Sequence, residues 1–307
     1  MKTIIKNRTL IGEVLLSLLL VSALIWSILI QTKTLVIILL SIFFFLLTIS
    51  IVYKHKNSVY EEKKPTVKLA FDMGAIFISG LVVYLFENYL NISYLIMVPV
   101  IGLIGSLLFI SFENALYLGS FLGMTSIDIG YFFIVLTLAS LAYFFFEDAY
   151  SGFGGKLGSS AFFFGLIIAF FIKGGTVVNY NDVEIYLVVI AAVIATLLTT
   201  VIQRTYNLST VLVSAFISLV GAVFLFIPKF DYGVLIASAI LGASFVGMTL
   251  KEHLHIFLVF AAALLFAFLF VFIPFNGIGG RLGFTAFLSV MIVMGVKNSF
   301  SFAQKKK

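Results

Sequence analysis

The sequence predicts an all-α polytopic membrane protein of about twelve transmembrane segments, two N-terminal helices followed by two inverted five-helix repeats. Three observations carry this. Of 307 residues, 62% are hydrophobic and 10% charged, with a mean hydropathy of +1.22; a soluble domain is about 45–50% apolar and about 25% charged. The apolar residues fall in runs of the length that crosses hydrocarbon, about 20 residues. Two glycine-containing blocks also recur in the same order.

No water-soluble interior of this size buries so much apolar surface. Lipid is the expected solvent, which excludes a soluble enzyme, a secreted disulfide scaffold and a disordered chain. Cysteine is absent, so there is no disulfide, thiolate metal site or cysteine nucleophile. With three His and 13 acidic residues, neither a metal centre nor a cofactor site is expected. No H-E-x-x-H, G-x-S-x-G or Walker sequence occurs, so the chain is expected not to be an enzyme. The net charge of +6 comes largely from chain ends and short loops: Lys2, Lys6 and Arg8 precede the first apolar run, and Lys305, Lys306 and Lys307 close the chain. This is the pattern of cytoplasmic anchoring, with lipid headgroups and not nucleic acid as the partner.

In order, the predicted spans are 9–30, 33–53, 68–86, 91–108, 110–126, 129–146, 157–173, 184–202, 208–227, 233–250, 254–274 and 282–297. The runs are continuously apolar, which indicates helices; barrel strands alternate and are shorter. The first run is too long for a signal peptide and lacks a small-residue cleavage site, so it is read as a retained helix. Stretch 91–128 is long for one span and short for two. Read as two, it places the N-terminus, loop 54–67, Arg204, Lys251 and the basic tail on one side, as the positive-inside bias requires. Both termini are then cytoplasmic, in a plasma or inner cell membrane. Residues 1–66 form a helix pair and polar loop, 67–180 the first repeat, and 181–307 the second repeat with the tail.

The repeat is carried by two pairs of strings. SFLGMT at 120–125 matches SFVGMT at 244–249, and GFGGKLGSSAF at 152–162 matches GIGGRLGFTAF at 277–287. The separations agree: Thr125 to Gly152 is 27 residues and Thr249 to Gly277 is 28. Five predicted helices separate equivalent positions. An odd number turns the second copy upside down, the arrangement of many secondary transporters and some channels.

The two strings supply the candidate site. In each glycine loop, Gly154, Gly155 and Lys156, or Gly279, Gly280 and Arg281, precede a helix; backbone N–H groups and helix polarity there suit an anion or a carbonyl oxygen. The alternative is a tight interfacial turn whose cation reaches to headgroups. Ser120, Phe121, Gly123 and Thr125, with Ser244, Phe245, Gly247 and Thr249, suit a hydroxyl-lined constriction gated by the two Phe rings. Small-residue helix packing explains the same residues.

Buried acids are costly in lipid. Glu113 is therefore a candidate coupling group, or marks a helix boundary in water. Asp72 is read as interfacial, Glu13 as pairing with the cationic start of its own helix, and Glu147 and Asp148 as a solvated mouth. His253 and His255 do not share a helix face and are read as a wet loop.

A transporter or channel for a small neutral or anionic solute is the function these features favour, with a second copy of the chain a compatible partner. A non-catalytic partner subunit or assembly factor is the alternative. A lipid-modifying enzyme would need a richer polar cluster than Lys251, Glu252, His253 and His255.

Overall fold

The computed structural model describes residues 8–57, 67–172 and 178–304. Lys2, Lys6, most of loop 54–67 and the Lys305–Lys307 tail lie outside them. Among the described residues there are twelve α-helices and no β-strand. They are α1 Arg8–Ile30, α2 Thr34–Asn57, α3 Val67–Leu90, α4 Tyr94–Leu108, α5 Glu113–Gly123, α6 Ile129–Phe146, α7 Lys156–Ile172, α8 Asp182–Tyr206, α9 Thr210–Ala222, α10 Gly233–Gly247, α11 Ile256–Phe272 and α12 Arg281–Gln304. Short 3-10 turns, Ile110–Phe112 and Val223–Phe226, precede α5 and extend α9.

Six helices (α1, α2, α3, α6, α8 and α12) are long and apolar enough to cross a membrane. Their outer faces carry exposed Leu18, Leu29, Leu35, Phe45, Ile78 and Tyr186. So much exposed apolar surface is what a helical membrane protein presents to lipid. The stretch read as a span at 110–126 is shorter than expected. Its helix, α5, has 11 residues, about 16 Å of rise or about half the hydrocarbon thickness. It stops at Gly123 because the next residues leave the helix to bond with a distant loop.

Local chemistry sets the other boundaries. α3 and α8 are each followed by an asparagine in the left-handed conformation, Asn91 at φ 56° and Asn207 at φ 51°, a common way to end a helix. Two residues on, Ser93 and Ser209 adopt the same φ −55° and ψ 137° and accept from the first-turn amides of α4 and α9. α8 opens with a reciprocal cap: Asn181 Oδ1 accepts from Glu184 N–H at 2.9 Å, and Glu184 Oε2 from Asn181 N–H at 2.8 Å.

α12 is the central helix. Its apolar window is 78% buried, against 22% for α2, which lies against it on the outside. α1 packs on α2, α6 and α7. Arg8 at its start bonds Glu147 at 3.3 Å and Asp148 at 3.0 Å, so the acids at the end of α6 hold α1 rather than standing free in water. Glu13 pairs with Lys54 at 3.3 Å and lies 3.8 Å from His55, at the end of α2, a partner the sequence did not suggest. The antiparallel return of α2 brings those cations to its level.

α7 and α12 cross where Gly158 meets Gly283. A Cβ built on either glycine would lie 2.6 Å from the other's Cα. Replacing Gly283 with Ala forces the two helices apart and should cost about 1–3 kcal/mol, seen as a lower unfolding midpoint of the purified protein in detergent.

Candidate functional site

The non-helical loops at this crossing lie deep in the protein and must satisfy their own polar groups. Before α7, Gly152 and Gly155 have φ of +81° and +80°; before α12, Gly277 and Gly280 have +86° and +80°. Only glycine takes this conformation without strain. Each loop pairs with the end of a short helix from the other block. Gly154 N–H donates to Thr249 Oγ1 at 3.1 Å, and Leu250 N–H to Gly152 O at 3.0 Å. Gly279 N–H donates to Thr125 Oγ1 at 3.2 Å, and Ser126 N–H to Gly277 O at 3.2 Å. The two threonines pass the bond on in the same way, donating at 2.8 Å to Val246 O and Leu122 O. The amides of Gly154 and Gly279, read from sequence as facing a solute, are thus held by the protein itself.

Between these junctions sits an aromatic cluster. Phe121 and Phe245 contact edge to face with ring centres 5.0 Å apart, and Tyr117 lies 4.5 Å from Phe121 and 5.9 Å from Phe245. All three are buried. A hydroxyl network runs beside them. Ser244 shares hydrogen bonds with Ser214 at 2.8 Å and Ser218 at 3.1 Å, and Ser214 reaches the Tyr117 hydroxyl at 3.3 Å. Ser120 donates to Tyr117 O at 2.7 Å. Gly123 and Gly247 serve close packing, Gly123 against Gly80 and Val83 on α3, and Gly247 against Thr196 and Thr199 on α8.

The cluster walls one of two cavities that are bordered by the glycine loops. The first, about 240 Å³, is lined by Asn114, Tyr117, Tyr143, Glu147, Lys156 and Phe245 among others. The second, about 390 Å³, is lined by Tyr94, Tyr180, Glu184, Asp231, Ser238 and Arg281 among others. They are built from matching parts: Gly152, Lys156 and Met248 border the first, and Gly277, Arg281 and Met124 the second.

The two cations do the same local task. Lys156 Nζ donates to Glu147 O at 2.8 Å, at the end of α6. Arg281, only 6% exposed, donates to Phe270 O at 2.8 Å, Ile273 O at 2.9 Å and Pro274 O at 3.4 Å, at the end of α11. Each satisfies orphan carbonyls at a helix C-terminus, where positive charge is favoured. Arg281 therefore does not reach out to headgroups.

Glu113 sits at the first turn of α5, where its Oε2 accepts from Ser209 Oγ at 2.6 Å. His253 stacks on Phe153 at 4.1 Å, and its Nε2 lies 3.2 Å from Ser151 O, so its half-buried ring packs on the first glycine loop while His255 is exposed. Asp72, read as interfacial, is 2% exposed. Sequence reading passes over Tyr94, Tyr117, Tyr143 and Tyr180, which counted as apolar mass although each brings a hydroxyl to a cavity. No family model, curated protein or solved structure matches the chain.

Two outcomes follow from this geometry. Thr249→Val or Thr125→Val leaves a buried amide without an acceptor and should lower stability by about 1–3 kcal/mol, while serine at either position restores it; unfolding midpoints of the four variants check this. Burial pushes the His253 imidazole below its ordinary value. The unfolded chain then takes up this proton first as pH falls, so the contribution is intact above about 6.5 and is lost below it. His253→Phe keeps the stacked ring and should flatten the fall in melting temperature through that window.

Proposed function

We propose that this protein is a membrane transporter or channel for a small polar solute, neutral or anionic, which passes between two inverted five-helix halves. The observation that carries the reading is the pair of similarly built cavities, the first of them walled by the packed rings of Tyr117, Phe121 and Phe245. A closed path has this form: an opening on each side and a short apolar stop between. α3–α7 and α8–α12 are the halves. The matched turns at Asn91 and Asn207, the exchanged threonine–glycine bonds and the reciprocal Gly158–Gly283 contact support that pairing. Five helices per half invert the second copy. Twelve crossings then put both termini, Arg204 and Lys251 in the cytoplasm and the protein in a cell membrane. α1 and α2 brace the outside.

Cavity charge favours a neutral solute over an anion. Lys156 faces Glu147 in the first cavity, and Arg281 shares the second with Glu184 and Asp231. Neither presents a clear excess of positive charge. Hydroxyls of Tyr117, Tyr94 and Ser238 offer both donors and acceptors. Transport by rocking or by local gating both require the Phe121–Phe245 contact to open.

Stopped-flow swelling of proteoliposomes in urea, acetamide, glycerol, sodium formate or sodium nitrate tests this. Phe121→Ala or Phe245→Ala should raise permeation of at least one of them, by about tenfold if the stop contributes about 1.4 kcal/mol to the barrier. The chain has no native cysteine, so Ser151→Cys and Ser126→Cys can be labelled singly. They should react with an impermeant maleimide from opposite faces of the membrane. Labelling from one face, or no permeation by any solute in wild type and both Phe variants, would sink the reading.

A further inference from the structure

Asp72 breaks the correspondence between the halves. It lies nineteen residues before Asn91; nineteen before Asn207 is Val188, fully buried. An aliphatic residue therefore serves where packing alone is needed, and α3 carries a carboxyl group instead. That group is 2% exposed, and its Oδ2 has no hydrogen-bond partner. A carboxylate kept from water with a bare oxygen is among the most expensive arrangements in a protein core or membrane. The neutral acid removes most of that cost.

Its position is set by the packing of α3. Gly119 of α5 lies against Ile76 and Ser79, and Gly123 against Gly80 and Val83. The two helices therefore run in the same direction, and Asp72, one turn before Ile76, is level with the first turn of α5. Asn114 and Tyr117 on that part of α5, with Tyr143 and Glu147 on α6, line the first cavity. Among the described residues, the charges around Asp72 are few. Lys68 on its own helix and Glu147 on α6 act on it electrostatically, and Tyr143 on α6 feels it in turn. On α5, Glu113 is engaged by Ser209. α4 and the Ile110–Phe112 turn, which also pack on α3, add only Tyr94 at the far end of α4.

We propose that Asp72 is a proton-binding site beside the Glu147–Lys156 cavity, set behind the Tyr143 and Glu147 of its wall rather than lining it. It takes a proton when that cavity admits water and retains it, as a neutral carboxylic acid, when α3, α5 and α6 close around it. One bond, Oδ2–H, forms with a proton from water in the cavity and breaks when the group is rehydrated; nothing else is oxidised, reduced or transferred. Because the position matched to Asp72 in the second half is Val188, this buried proton site exists on one side only and gives the path a direction. This direction rests on the path proposed above; the protonation itself does not.

Two measurements test it separately. Infrared difference spectra of the protein in lipid, recorded across a pH titration, should show the carbonyl stretch of a buried protonated carboxyl at neutral pH. Asp72→Asn, nearly the same size, should lose that band and stay folded; Asp72→Glu should return it at a shifted frequency. A wild-type spectrum without the band, or a band that survives Asp72→Asn, overturns the proposal. In the swelling assay with whichever probe permeates, an imposed pH gradient should change the wild-type rate, and Asp72→Asn should lose that response. Permeation indifferent to the gradient in wild type overturns the coupling and leaves the path standing. No permeation at all overturns the path, and the infrared band then decides whether Asp72 binds a proton.

Discussion

The structure depends on one constraint: backbone that is not helical, placed deep in a lipid-solvated protein, must find its hydrogen bonds inside the protein. The loops before α7 and α12 meet that demand through threonine. Thr249 and Thr125 each accept an amide from the glycine loop of the opposite block and donate to their own helix end. A hydroxyl is suited to this because it is donor and acceptor at once. Since the partners are exchanged, neither loop can be completed without the other block. The glycine-to-glycine approach of Gly158 and Gly283 depends on the same loops.

This constraint reframes the repeated strings. Glycine and threonine each look like solute-facing groups when read one string at a time. Read together, SF(L/V)GMT and the glycine loop are two halves of one joint, in which Thr249 and Thr125 hold the amides of Gly154 and Gly279. Beside the joint lie the cluster of Tyr117, Phe121 and Phe245, the serine network around Ser244 and the tyrosines of the two cavities. The joint is hydrogen-bonded and the Phe121–Phe245 contact is not, so the proposed path would open at the rings before the loops.

Helix positions were legible in the sequence because hydrophobic run length is a direct consequence of bilayer thickness. The predicted 129–146 span coincides with α6, and 91–108 differs from α4 only at its start. Stretch 110–126 was less legible, because apolar content does not report that Thr125 and Ser126 leave the helix for bonds with a loop some 150 residues away. Long-range pairing was equally hidden: nothing local to Glu13 indicates Lys54, and nothing local to Arg8 indicates Asp148. The cavity tyrosines were concealed by their own chemistry, since one ring is both apolar bulk and a polar tip. Where the expectations concerned single residues, the partner decided the role, and partners come from topology.

The charges separate what holds the fold from what could act in it. Arg8 and Glu13 are spent on fastening α1 to α6 and α2, Arg204 on the carbonyls of Thr249 and Leu254, and Arg281 on the end of α11. Each of these binds groups whose place is set by backbone topology, and each would be needed in a protein that moved nothing. Asp72 has no comparable task. It neither caps a helix nor joins an ion pair among the described residues, and its equivalent position in the second half is filled by valine. A buried carboxyl that contributes no fastening is a net cost to the fold, and such a cost persists where the group is used. The asymmetry of a nearly symmetric molecule is therefore the most informative thing about it. On the function proposed above, two like halves would provide a path that reads the same from either face, and a single acid on one of them is sufficient to make the faces differ.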